Sequence, residues 1–189
     1  MHAILTVGST EFTLLVQTAL SVPVLRTLVE EGYTTFTLQT GTSVLPAIPS
    51  TKLEIALHKY MDDIDAQLAA ADLIISHAGV FILSTTSLPS DWSVTGAGSI
   101  LAALRGPSIP SNQPINPQRK LIIVPNSSLM DDHQSQLAQV LNEQGVTTCR
   151  AEAGELVEAI QRAREVPVRD TGEGKEFRKV MDGLMGFKE

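Results

Sequence analysis

The chain of 189 residues contains one cysteine, one tryptophan and two tyrosines, and its 14 basic residues are outnumbered by 21 acidic ones. Each scarcity removes a class of protein. A lone Cys149 can form neither an intramolecular disulfide nor a cysteine-based zinc cluster, and it reads as a buried apolar residue rather than a nucleophile. A net charge of −7 argues against the basic face that nucleic-acid phosphates require. A small phosphorylated ligand remains possible, because a few backbone N–H groups can hold one. No window approaches the roughly 20 consecutive apolar residues of a membrane span. The opening Met1-His2-Ala3-Ile4-Leu5-Thr6-Val7-Gly8 does not read as a signal peptide. A cytoplasmic protein is therefore expected.

What is present is an ordinary globular composition, 43% hydrophobic and 19% charged, in a length that suits one sizeable core and is short for two full domains. Apolar runs alternate with helical periodicity. Residues 3–7 form a short apolar run stopped by Gly8-Ser9-Thr10, as in a buried parallel strand entering a βα turn. Phe12, Leu15, Val16, Ala19 and Leu20 recur at helical spacing, and residues 24–31 continue helical after Pro23 until Gly32. Strands are expected over 34–39, 53–57, 72–76, 120–124 and 146–149. Helices are expected over 61–71, with Ile64 and Leu68 on one face, and over 97–105 and 155–164. A further helix, capped by Asp131 or Asp132, is expected through Leu137, Ala138 and Leu141 to Gly145. Residues 106–119 hold four prolines and read as a surface loop. The pattern predicts an α/β fold: a single Rossmann-like, open, mostly parallel sheet with helices on both faces. One domain over 1–168 is expected, followed by a helical tail, 169–189, carrying Phe177, Val180, Met181, Leu184 and Met185 as a possible partner contact.

Ligands of such folds bind beyond the carboxyl ends of the strands, which selects the segments after Val7, Ser76 and Val124. In Gly8-Ser9-Thr10, glycine permits close backbone approach and two hydroxyls can donate to phosphate; a tight turn with a helix cap would look the same. The strand that ends in Ile75-Ser76-His77-Ala78-Gly79 leads to Gly96-Ala97-Gly98-Ser99 only after an intervening segment, 80–95. The second glycine cluster opens a helix with small side chains, either an anion site or a hinge closing the inserted loop. In Pro125-Asn126-Ser127-Ser128-Leu129-Met130-Asp131-Asp132-His133-Gln134, carboxylate, imidazole and amide groups gather at a helix start and could read sugar hydroxyls; a cap followed by a solvated first turn is the alternative. Asp62-Asp63-Ile64-Asp65 reads as a helix start rather than a metal site.

Taken in order, Ile-Ser-His-Ala-Gly, Ala-Gly-Ser-Ile-Leu and Asn-x-x-Leu-Met-Asp-x-His-Gln resemble the Alg13-type subunits of UDP-N-acetylglucosamine transferases and, more broadly, the nucleotide-sugar domain of MurG-type transferases. The resemblance spans about residues 3–149. It implies a GT-B half-domain that binds UDP-N-acetylglucosamine and, with an Alg14-like membrane-anchored partner, transfers the sugar with inversion to a lipid-linked acceptor, dolichyl-diphosphate-N-acetylglucosamine. That reaction belongs to N-glycan precursor synthesis and would place the chain at the cytosolic face of the endoplasmic reticulum. Neither a cofactor nor a metal is implied. The substrate-binding residues it suggests are Gly8, Ser9, Thr10, His77, Gly79, Gly96, Gly98, Ser99, Asn126, Asp132, His133 and Gln134, with no catalytic base assigned. Two departures stand out. Ala102 replaces the acidic residue that in relatives bonds the ribose, and the insert 80–95 interrupts a segment the family runs without a break. The alternatives are a degenerate homologue that binds or regulates without catalysing, or a GT-B half using another nucleotide sugar.

Overall fold

In a computed structural model the residues described are 1–8, 11–77, 118–126 and 146–163. They form six strands and four helices: β1 (His2–Thr6), α1 (Thr13–Ala19), α2 (Val22–Glu30), β2 (Thr35–Gln39), β3 (Glu54–His58), α3 (Ile64–Ala70), β4 (Leu73–His77), β5 (Lys120–Val124), β6 (Thr147–Thr148) and α4 (Ala153–Arg162). All strand pairs are parallel, and the order across the sheet is β3-β2-β1-β4-β5-β6. This is the doubly wound arrangement expected from the alternating pattern, with a reversal of winding between β1 and β4.

Side-chain alternation divides the core into two layers. Ala3 and Leu5 of β1, Phe36 and Leu38 of β2, and Leu73 and Ile75 of β4 belong to one buried cluster, together with Leu15, Leu28 and Leu156 from helices. The intervening Ile4, Ile74, Leu121 and Ile123 are equally buried but lie outside that cluster, on the face that α3 covers with Ile64 and Leu68. Helices α1, α2 and α4 pack on one another. A hydrogen bond of 2.9 Å from Thr18 Oγ1 to the Ala151 carbonyl joins the first helix to the entry of the last.

Local chemistry explains the boundaries. Pro23 sits in the first turn of α2, where its missing N–H costs nothing, so the helix begins before the proline rather than after it. Gly32 ends α2 with φ +87° and Gly41 follows β2 with φ +54°, conformations that favour glycine. α1 is capped at Phe12 without a side-chain bond. The Phe12 N–H is met by Ser43 Oγ at 2.9 Å, from the long β2–β3 connection. α3 starts at Ile64 rather than at residue 61, following a turn.

The reading of 106–119 as a surface loop fails at its last residue. Arg119 is only 2% exposed, because it immediately precedes the buried strand β5. Its Nε and Nη2 meet no hydrogen-bond partner among the described residues, and burial pushes its pKa down. Cys149 is buried, as expected, and burial raises its thiol to about 12. The helices expected over 97–105 and 131–145, the insert 80–95, the domain boundary at 168 and the tail 169–189 lie outside the described residues. No single helix among the described residues is long and apolar enough to cross a membrane.

Candidate functional site

Three of the residues singled out above are described, and the sheet brings them to one edge. Gly8 follows β1, His77 ends β4 and Asn126 lies two residues beyond β5. These strands are consecutive in the sheet. With neighbouring strands about 4.8 Å apart, their ends span roughly 10 Å. Register places Thr6 opposite Ser76 and His77 opposite Val124, so the three ends are level. Gly8 and His77 flank the β1/β4 switch in winding, which is where open α/β sheets leave a crevice for ligands.

Each position has a distinct environment. Gly8 adopts φ +61°, a conformation costing a residue with a Cβ about 1–2 kcal/mol. Its N–H donates to Thr6 Oγ1 at 3.1 Å. His77 is 1% exposed. Burial lowers its pKa to about 4, opposed by a hydrogen bond with the Thr6 backbone. The imidazole is therefore neutral at physiological pH and supplies hydrogen bonding rather than positive charge. Its Nδ1 has no partner among the described residues. Asn126 is 2% exposed, so a strongly polar amide is held inside the edge where β5 meets its loop. The site is neutral in its described part: neither a lysine nor an arginine is among these groups, and no cluster of three potential metal ligands occurs among the described residues.

The same edge carries polar residues that the sequence reading passed over. Gln39, Thr6 and Ser76 share one rung near the carboxyl ends of β2, β1 and β4 and are 8%, 0% and 0% exposed. A hydroxyl inside an otherwise apolar run, and a glutamine two residues before Gly41, were the available signals. Ser9, Thr10, Gly79, Gly96, Gly98, Ser99, Asp132, His133 and Gln134 lie outside the described residues, as does Ala102. A separate depression of about 510 Å³ is lined by Thr37, His58, Tyr60, Met61, Asp62, Asp63 and Gln67.

An all-parallel sheet in this order, with a glycine turn at its switch point, defines a Rossmann-type domain, a class whose ligands bind beyond the carboxyl ends of the strands. Comparison with known proteins narrows the class. Residues 2–83 match the glycosyltransferase family 28 C-terminal domain. The UDP-N-acetylglucosamine transferase subunit ALG13 of Cryptococcus neoformans is 31% identical over 139 residues, covering 70% of this chain and 56% of that protein. Its namesake in Mus musculus is 29% identical over 154 residues, covering 79% of this chain and 11% of the mouse protein. The human ALG13 subunit is also 29% identical, over 164 residues, or 82% of this chain and 12% of its own length. The chain thus spans little more than half of the fungal relative and about a tenth of the mammalian ones. The NMR solution structure of ALG13 superposes with a TM-score of 0.62 over 95% of this chain and 94% of that one, at 22% identity, and so shares the fold. The chain is thus similar to ALG13 subunits over most of its length, and its residues 2–83 to the glycosyltransferase family 28 C-terminal domain.

Proposed function

We propose that this chain is the donor-binding half of a glycosyltransferase that uses UDP-N-acetylglucosamine. The observation that carries the reading is the alignment of the Gly8 turn, His77 and Asn126 along one level edge at the β1/β4 switch point, within a chain similar to UDP-N-acetylglucosamine transferase subunits. The neutral described edge suits a ligand whose diphosphate is held by N–H dipoles rather than by basic side chains. In this reading Gly8, Ser9 and Thr10, with Gly79, Gly96, Gly98 and Ser99, surround the diphosphate. Asn126, Asp132, His133 and Gln134 read the sugar, and buried neutral His77 braces the edge between them.

One such domain makes half of a GT-B cleft. The acceptor half is assigned to an Alg14-like membrane-anchored subunit, which would recruit this chain to the cytosolic face of the endoplasmic reticulum. The acceptor is a lipid-linked diphosphate sugar of the dolichol type. Inverting transfer requires a base for the acceptor hydroxyl, and the partner is its proposed source. The domain is taken to span 1–168, with the tail 169–189 as a partner contact. A second reading, a homologue that binds without catalysing, is favoured by Ala102 and by the insert 80–95.

The test is sugar transfer from UDP-N-acetylglucosamine to a lipid-linked acceptor by this chain co-expressed with an Alg14-like subunit. Turnover that needs both chains is expected. Donor binding without turnover, where a homologue lacking the insert is active in the same assay, would select the binding-only reading. Absence of both would refute the proposal.

A further inference from the structure

The rung at the end of β1 is polar across β2, β1 and β4, where the rungs behind it are largely apolar. Thr6 and Gln39 are register partners on adjacent strands, both buried, and their side chains meet. Thr6 Oγ1 donates to Gln39 Oε1 at 2.5 Å. The hydroxyl has one proton, so a lone pair remains to accept, and it accepts the Gly8 N–H at 3.1 Å. The direction of the relay is fixed: amide N–H to hydroxyl to side-chain carbonyl. Such chains polarise one another. The peptide before it is held by the same residue, since the Val7 N–H donates to the Gln39 backbone carbonyl at 3.2 Å. Two consecutive peptide planes are thus pinned to Gln39, one directly and one through Thr6, at the point where Gly8 turns with φ +61°.

A valine at 6 and a methionine at 39 would fill nearly the same space without the cost of burying a hydroxyl and an amide. What the polar pair adds is orientation. With the N–H groups of Val7 and Gly8 both committed, the two peptide planes that lead into the Gly8 turn are held in one orientation. We infer that Thr6 and Gln39 are a positioning pair for the donor diphosphate, acting through the backbone of Gly8 without touching the ligand. This rests on the donor-binding reading above.

The experiment compares Thr6→Val, which keeps shape but removes both hydrogen bonds, with Thr6→Ser, which keeps them, in the two-subunit enzyme. For Thr6→Val the KM for UDP-N-acetylglucosamine is expected to rise about three- to tenfold, the equivalent of one or two neutral hydrogen bonds. The acceptor KM and kcat should stay within about twofold, and Thr6→Ser should restore the donor KM. Gly8 amide hydrogen exchange should accelerate in Thr6→Val while the Val7 amide stays protected. If Thr6→Val does not fold, Gln39→Met, which leaves Thr6 to accept from Gly8, should shift the donor KM in the same direction by about threefold. An unchanged donor KM in an active complex, or parallel losses in donor KM, acceptor KM and kcat that track the folded fraction, would overturn the positioning role while leaving the donor-binding reading standing. A wild-type complex with neither donor binding nor turnover would remove both.

Discussion

His77 couples the candidate site to pH through stability, and the size of the effect follows from its burial. Its pKa is about 4 in the folded chain against an ordinary 6.5, so the unfolded chain binds a proton over a range where the folded chain does not. The contribution is fully present above pH 6.5 and is lost as pH falls towards 4, with no further loss from this group below that. At 1.36 kcal/mol per pH unit between the two values, the whole loss is about 3 kcal/mol, of which about 1.3 kcal/mol falls between pH 7.5 and 5.5. With a urea dependence of about 2 kcal/mol per molar, the denaturation midpoint should drop by about 0.6 M over that interval. His2, whose pKa is also lowered by burial, acts in the same direction. The control is therefore His77→Gln, which keeps a polar side chain but cannot titrate there. Urea unfolding of both proteins at pH 7.5 and 5.5 gives the comparison. The variant should lose most of the pH dependence while retaining the share due to His2. An equal drop in wild type and variant would refute the claim that His77 is held neutral by burial.

Two further outcomes follow from the same structure. Gly32→Ala should cost about 1 kcal/mol in thermal or urea unfolding, because φ +87° is strained for alanine. Space is not the reason, as the nearest atom to an added Cβ would be Met1 Cε at 3.6 Å. Leu156→Ala should cost about 2–5 kcal/mol, since Leu156 is fully buried against α1 and α2; a loss below about 1 kcal/mol would show that α4 is peripheral to the core.

The strands were legible because a parallel sheet covered on both faces must be apolar on both faces. Ile4-Leu5 and Leu121-Ile122-Ile123-Val124 could hardly be anything else, and the sheet confirms them as β1 and β5. Helix starts were less legible, because caps depend on partners distant in sequence. Ser43 satisfying Phe12, 31 residues away, leaves no local signal. The buried state of Arg119 was invisible for the opposite reason. Its neighbours are prolines and polar residues, while its environment is set by the strand it precedes. At the candidate site the glycine turn and His77 could be read from local pattern, whereas the Thr6–Gln39 pair depends on register between two strands. Register is a property of the assembled sheet and not of either segment.

The closure of α4 onto α1 and α2 bears on how this fold can be divided. The match to the glycosyltransferase family 28 domain ends at residue 83, yet the layer beneath α1 and α2 is completed by Leu156, Ala159 and Ile160, and Thr18 bonds across 133 residues to Ala151. A polypeptide ending near residue 83 would carry the glycine turn but leave bare to water the apolar surface of α1 and α2 that α4 covers. Protein synthesis reaches residue 83 well before it reaches 163. While the chain is still growing, this apolar surface awaits its cover until α4 has been made.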